Sequence, residues 1–292
     1  MRAAALLSAM LLAASVPASA RNMSPKDVDA LPASAPTAVV AYGSDPLQVG
    51  ELRLPKGKGP FPVAIVVHGG CWTKGFATRR NTAAMASALA DKGIATWNIE
   101  YRQLGEAGAG WPGTFRDWAA GADHVRQLAR RYPLDLKRVV TVGHSAGAHA
   151  ALWIAARPRL PRSSEVRGAN PLAVKAAVAI DGPGDLEPFI GFDAEVCGKP
   201  VIEPLLGGTP NAHPARYREG TPKALLPLGR PQYLVATAVL QPAAAEDYRK
   251  AAATAGDKVK VIAPAGADHF NIITPGEPQY AEVEALILRA FQ

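Results

Sequence analysis

Residues 139–147 read Val139-Val140-Thr141-Val142-Gly143-His144-Ser145-Ala146-Gly147. The β-branched run predicts a strand, the alanine-rich stretch from Ala146 to Ala156 predicts a helix, and a serine flanked by small residues stands at the junction. A turn this tight needs those small neighbours, so that the backbone can hold Ser145 in a strained conformation with its hydroxyl exposed. The N-terminus of the following helix also favours nearby negative charge. This nucleophile-elbow pattern makes Ser145 the candidate nucleophile and implies a sheet whose strands alternate with helices.

The alternation extends in both directions. Apolar or β-branched runs predict strands over 47–54, 62–67, 94–99, 138–143, 174–181, 232–237 and 258–263, with helices over 80–92, 114–131, 146–156, 243–255 and 278–290. Strands separated by helices imply an α/β protein with a mostly parallel sheet covered on both faces. Residues 21–45 lack clear periodicity and read as an extended lead-in to one domain over 46–292. The Pro/Gly-rich stretch 182–230 is too long for an ordinary connection, and excursions of that kind are commonly functional lids.

Composition removes several classes. Of 292 residues, 48% are hydrophobic and 20% charged, which argues against disorder, and the 27 Gly and 26 Pro follow no collagen-like period. Two cysteines exclude a disulfide-built scaffold and a multi-cysteine zinc module, while leaving room for one bridge between Cys71 and Cys197. The net charge of +7 is spread through the chain with no basic run interleaved with aromatics, so no nucleic-acid partner is expected. The Gly-rich loop 105–113 lacks the Lys-Ser/Thr end of a phosphate loop.

The first twenty residues, MRAAALLSAMLLAASVPASA, carry one basic residue, an apolar stretch and Ala18-Ser19-Ala20 as a small-residue cleavage site. They read as an export signal cut before Arg21, which leaves a mature chain of about 272 residues. No later segment is long and uncharged enough to span a membrane, so a periplasmic or secreted protein is expected. The sequence carries no marker of oligomeric state.

Two further segments bear on the chemistry. His68-Gly69-Gly70-Cys71-Trp72 follows the strand 62–67, where a glycine pair can turn backbone N–H groups inward to hold an oxyanion, with the Ala146 N–H as a second arm. A serine also needs a general base, and the chain offers His68, His124, His144, His149, His213 and His269. Only His269 follows the last strand in a short loop at the carboxyl edge of the sheet, where ligands bind in open α/β folds. Trp72 and Trp111 are candidates both for a substrate pocket and for the core.

Together these residues resemble the α/β-hydrolase superfamily, and within it the esterase/lipase branch that includes feruloyl-esterase-like enzymes and kynurenine formamidases. The likeness runs over 47–290 and is carried by the 68–72 loop with Gly75, by Tyr101-Arg102 and Asp117, and by the elbow with Ala148-His149. Leu206-Gly207-Gly208-Thr209-Pro210, Tyr217, the stretch 221–225 and Asp268-His269-Phe270 add to it. The resemblance implies an α/β-hydrolase fold with a lid-like excursion after the sixth strand. It also implies hydrolysis of a small-molecule carboxylic ester, of small or medium acyl groups, through an acyl-enzyme and without cofactor or metal. Ser145 would attack, His269 would carry the proton, and the N–H groups of Gly70, Cys71 and Ala146 would hold the oxyanion.

One position departs from the pattern. Where the family places its acid, in the loop after the strand 232–237, this chain has Gln241. A neutral amide can orient an imidazole but cannot stabilise the imidazolium that forms during attack. Some relatives carry the acid one strand earlier, which here ends in Ala179-Ile180-Asp181 and makes Asp181 the candidate acid. Glu246, Asp247 or no acid at all are the alternatives, and Asp268 reads as a loop cap. An arylformamidase or other amidase, and a catalytically silent binding protein of the same fold, are the competing functions.

Overall fold

The computed structural model describes residues 23–292. The export signal expected over 1–20 lies outside those residues. Eight strands form one sheet in the order β1-β2-β4-β3-β5-β6-β7-β8. They are β1 (Ala38–Ala41), β2 (Val49–Arg53), β3 (Phe61–Val67), β4 (Ala95–Ile99), β5 (Leu134–His144), β6 (Ala176–Ile180), β7 (Gln232–Val235) and β8 (Val259–Ile262). β1–β2 and β2–β4 pair antiparallel and all the other neighbours pair parallel.

Every residue of β4 and β6 is buried, as is nearly all of β3. That is the continuous apolar habit of strands covered on both faces. β3 shows the division of the core: Val63, Ile65 and Val67 point to one side, Ala64 and Val66 to the other. The first side packs against α3 (Gly113–Asp123), α5 (Ala146–Ala156) and α9 (Pro242–Thr254), the second against α2 (Ala83–Asp91) and α10 (Pro278–Ala290). A short α4 (Val125–Leu128) continues α3 after a break at His124, so the helix expected over 114–131 is two helices.

Two stretches differ from their sequence reading. The supposed extended lead-in 21–45 holds α1 (Pro25–Asp29) and β1. α1 is started by a capping box in which Ser24 and Asp27 bond reciprocally, a local signal that needs no long apolar period. The 182–230 segment, which follows β6, contains α6 (Phe192–Cys197), α7 (Ile202–Leu206) and α8 (Pro214–Gly220), each too short for periodicity to reveal. Among the described residues, no helix is long and apolar enough to cross a membrane.

Candidate active site

β5 runs straight into α5, and Ser145 occupies the corner with φ 56° and ψ −122°. The flanking glycines are obligatory. A Cβ on Gly143 would lie 1.8 Å from the Gly147 carbonyl oxygen, and one on Gly147 would lie 2.1 Å from that of Val67. The Ser145 amide bonds to the Ile180 carbonyl at 2.8 Å, tying the corner to the end of β6. Ala146 opens α5, so its N–H lies in the first turn, which has no intrahelical acceptor.

Among the described residues, four that are not glycine have positive φ: Cys71, Trp72, Ser145 and Asp181. Three segments supply them, and all four residues lie at the same sheet edge around one site. Left-handed backbone in such residues is strained and persists where the surroundings over-determine it, as they do at functional sites.

Asp181 follows β6 and is fully buried. Its Oδ2 lies 2.6 Å from His269 Nδ1. The loop after β7 wraps the carboxylate, with the amides of Thr237, Val239 and Leu240 donating to Oδ1 at 3.0, 3.1 and 2.8 Å. Burial pushes the Asp181 carboxyl up, but the hydrogen bond and charge of His269, with the Leu240 amide, outweigh it and hold the group below its ordinary value. Asp181 is therefore an anion aimed at His269.

The other acid candidates lie elsewhere. Gln241 precedes α9 and donates from Nε2 to the Ala238 carbonyl at 2.7 Å, while Glu246 is paired with Arg249 at 2.6 Å on the exposed face of α9, where Asp247 is also exposed. Asp268 caps its own loop by accepting from the Phe270 and Asn271 amides, both at 2.7 Å, and it also receives the Met23 amide at 3.1 Å.

His269 shares a cavity of about 240 Å³ with Ser145, Gly70, Cys71, His144 and Phe270. His144 holds the His269 loop: its Nε2 donates to the His269 carbonyl at 2.7 Å, and the two rings lie against each other, tilted by 39°, with centroids 4.5 Å apart. Burial, aided by the nearby His269, drives the His144 pKa down to about 3, so its ring is neutral and fixed as a donor.

The loop after β3 rests on a second buried pair. His68 Nε2 lies 2.6 Å from Glu100 Oε1, and His68 Nδ1 lies 2.8 Å from the Gly69 carbonyl. The Tyr101 hydroxyl donates to the His68 carbonyl at 3.1 Å and its ring stacks on that of His68. Glu100 also accepts the Arg79 amide at 3.0 Å. Burial raises the Glu100 carboxyl, yet the charge and hydrogen bond of His68 bring it below its ordinary value. In a trans peptide the N–H points opposite to the C=O. Drawing the Gly69 carbonyl toward His68 therefore turns the Gly70 N–H away from that pair. The Gly70 carbonyl is engaged by the Thr73 amide at 2.9 Å, which likewise turns the Cys71 N–H the other way.

Cys71 is disulfide-bonded to Cys197, at the end of α6, across 126 residues. The bridge joins the loop beside Ser145 to the 182–230 segment. Trp72 is 4% exposed and walls a smaller cavity next to Ser145, whereas Trp111 packs on Phe115 and donates to Glu165, away from both cavities. His149 is a core residue among Trp72, Phe115 and Trp118. Arg102 and Asp117 form a bidentate pair at 2.8 and 2.6 Å that braces α3 against the chain after β4.

The reading of the sequence missed Glu100 and the holding role of His144. A lone acid between the apolar strand 94–99 and Tyr101 was the signal available for the first. The second depends on a contact between residues 125 apart, which no local pattern announces.

Comparison with known proteins bears on the family and the fold. The BD-FAE family model matches residues 51–251. Esterase LipC of Mycobacterium tuberculosis is 26% identical over 207 residues, covering 67% of this chain and 49% of that protein. A probable isoprenylcysteine alpha-carbonyl methylesterase of Arabidopsis thaliana is 30% identical over 113 residues, 38% of this chain and 23% of that one. The chain thus spans about half the length, or less, of these curated relatives. Among solved structures, Esterase B of Lactobacillus rhamnosis superposes with a TM-score of 0.75 at 19% identity, over 91% of this chain and 89% of that one. A truncated carbohydrate esterase from gut microbiota gives 0.68 at 21% identity, over 87% and 95%. The fold is the α/β-hydrolase fold, and with more than half its length under the family model, the chain belongs to the BD-FAE family.

Proposed function

We propose that the protein is a serine hydrolase that cleaves carboxylic esters through an acyl-enzyme on Ser145, with His269 as general base and Asp181 as the acid that orients it. The observation that carries this reading is the buried Asp181 carboxylate 2.6 Å from His269 Nδ1, with His269 and the strained Ser145 lining one cavity. With Nδ1–H donated to Asp181, Nε2 is left free to accept the Ser145 proton as Oγ attacks the ester carbonyl. The N–H groups of Gly70, Cys71 and Ala146 receive the developing oxyanion. Collapse of the tetrahedral intermediate transfers the proton from Nε2 to the departing alcohol. Water, deprotonated by the same nitrogen, then releases the acid and frees Ser145.

The names of the relatives, an esterase and a methylesterase, support ester cleavage over amide cleavage. The silent-binding reading drew on Gln241, and the carboxylate at His269 supports the enzyme reading over it. The leader-like residues 1–20 and the Cys71–Cys197 bridge both support an exported protein in an oxidising compartment.

Labelling with a fluorophosphonate probe tests the mechanism. The folded protein is expected to label once and Ser145→Ala not at all; wild-type protein that stays unlabelled and hydrolyses no p-nitrophenyl ester would sink the reading. Faster turnover of aryl formamides than of p-nitrophenyl esters would move the assignment to an amidase.

A further inference from the structure

We propose that the Cys71–Cys197 bridge positions an arm of the oxyanion site, so that the enzyme turns over fully only while the bridge is oxidised. The inference rests on the serine-hydrolase reading above. Among the described residues, neither the Gly70 nor the Cys71 amide has a protein acceptor. Both N–H groups are therefore available to a ligand beside Ser145, with which Cys71 lines two cavities.

The backbone that presents them is strained. Cys71 and Trp72 stand side by side at φ 54° and 50°, a region that residues with side chains leave unless they are held. Bonds inside the loop close the turn on itself: Thr73 donates its amide to the Gly70 carbonyl at 2.9 Å and its hydroxyl to the Cys71 carbonyl at 2.8 Å. They set the shape of the turn but not its place relative to Ser145. Its place is held from two sides. On one, the Leu104 amide donates to the Trp72 carbonyl at 2.6 Å and the Lys74 amide to the Leu104 carbonyl at 3.0 Å. On the other, the tie is the bridge to Cys197, the last residue of α6.

The far end of that tie is a fixed anchor. The buried Asp193 carboxylate accepts the Gly191, Val201 and Ile202 amides at 2.9, 2.7 and 2.9 Å, which clamps the chain before and after α6. Both cysteines are buried, so little open space surrounds their sulfurs. A dithiol cleaves the bridge by transferring two electrons and two protons to it: the S–S bond breaks, two thiols form, and the reagent closes to its own cyclic disulfide. Two thiols keep van der Waals separation, about 1.5 Å farther apart than bonded sulfurs. With α6 clamped and the loop strained, the loop is what yields, and the Cys71 N–H leaves the line of the oxyanion. The bridge thereby ties activity to an oxidising compartment.

The test compares oxidised wild type, wild type reduced with dithiothreitol and desalted without air, and Cys197→Ser. The substrate is p-nitrophenyl acetate, phenylboronic acid serves as a tetrahedral mimic, and near-ultraviolet circular dichroism reports the folded fraction. Reduction is expected to lower kcat per folded molecule by about 10- to 100-fold, the range for a displaced oxyanion donor. Boronate inhibition should weaken by a similar factor while KM stays within about 3-fold. Cys197→Ser should match the reduced protein and be indifferent to the treatment, and glutathione disulfide should restore wild type alone. If the variant folds poorly, the reduced and reoxidised wild type carries the same comparison. An unchanged kcat per folded molecule, a loss confined to KM, or a loss that only tracks unfolding each overturns the proposal while ester hydrolysis stands. Oxidised protein that hydrolyses no ester and leaves Ser145 unlabelled by a fluorophosphonate overturns the underlying reading instead.

Discussion

Asp181 Oδ2 and His269 Nδ1 lie 2.6 Å apart although 88 residues separate them in the chain. Asp181 comes from the end of β6, and the loop after β7 forms its cradle. Thr237, Val239 and Leu240 all donate amides to Asp181, while Gln241 at the end of that loop turns to the Ala238 carbonyl and solvent. The two segments meet because β6 and β7 are neighbours in the parallel sheet and end at the same edge.

Asp181→Asn should therefore lower kcat by on the order of 10⁴-fold, as neutralising a triad acid does elsewhere. Gln241→Ala should leave kcat within about 3-fold, since a solvent-facing side chain away from such features has small effects. Steady-state hydrolysis of p-nitrophenyl acetate checks both, and near-wild-type turnover by Asp181→Asn would remove it from the mechanism.

His144→Ala releases the His269 carbonyl and removes the ring packed against that of His269. A misplacement of the base by a fraction of an ångström is expected to reduce kcat by about 10- to 100-fold with little change in KM. A KM that rises as kcat holds would mean that His144 contacts substrate and does not position His269.

The buried histidines make the fold sensitive to mild acid. Burial holds His149 at a pKa of about 4, against 6.5 for the exposed ring. Above pH 6.5 neither state binds the proton. As pH falls below that value the unfolded chain takes it up and the folded chain does not, so stability declines until about pH 4. For His149 alone the full loss is about 3 kcal/mol, and His144 adds to it in the same direction. Urea midpoints between pH 7.5 and 4 should fall steadily, and His149→Gln should flatten part of that slope. An unchanged slope in the variant would show that His149 does not drive the acid lability.

Reducing the Cys71–Cys197 bridge should lower the unfolding free energy by roughly 4–5 kcal/mol, the chain-entropy value for a loop of more than a hundred residues. Cys197→Ser should match the reduced wild type in urea titration. If intact-mass measurement finds two free thiols in protein purified from the periplasm, the prediction fails at its premise.

The alternation of strand and helix was legible because most of these elements bury one long face or two, and burial on that scale writes a period into the residues. α5 and α10 match their expected bounds to the residue. The elbow was legible because Gly143 and Gly147 admit no other side chain. What escaped had no period to show: β1 is a four-residue edge strand, and α6 to α8 are held by single anchors such as Asp193 and the disulfide. Glu100 and His144 escaped for a related reason. Their importance lies in one long-range hydrogen bond each, which a reading along the chain cannot register.

The start of the described chain has a practical consequence for handling the protein. Met23 is bonded to Asp268, beside His269, and Pro25 at the head of α1 borders the larger cavity. The described chain thus starts beside the larger cavity. An affinity tag fused directly ahead of Met23 is expected to raise KM for p-nitrophenyl acetate. The same tag fused after Gln292, beyond the end of α10, is expected to leave it unchanged.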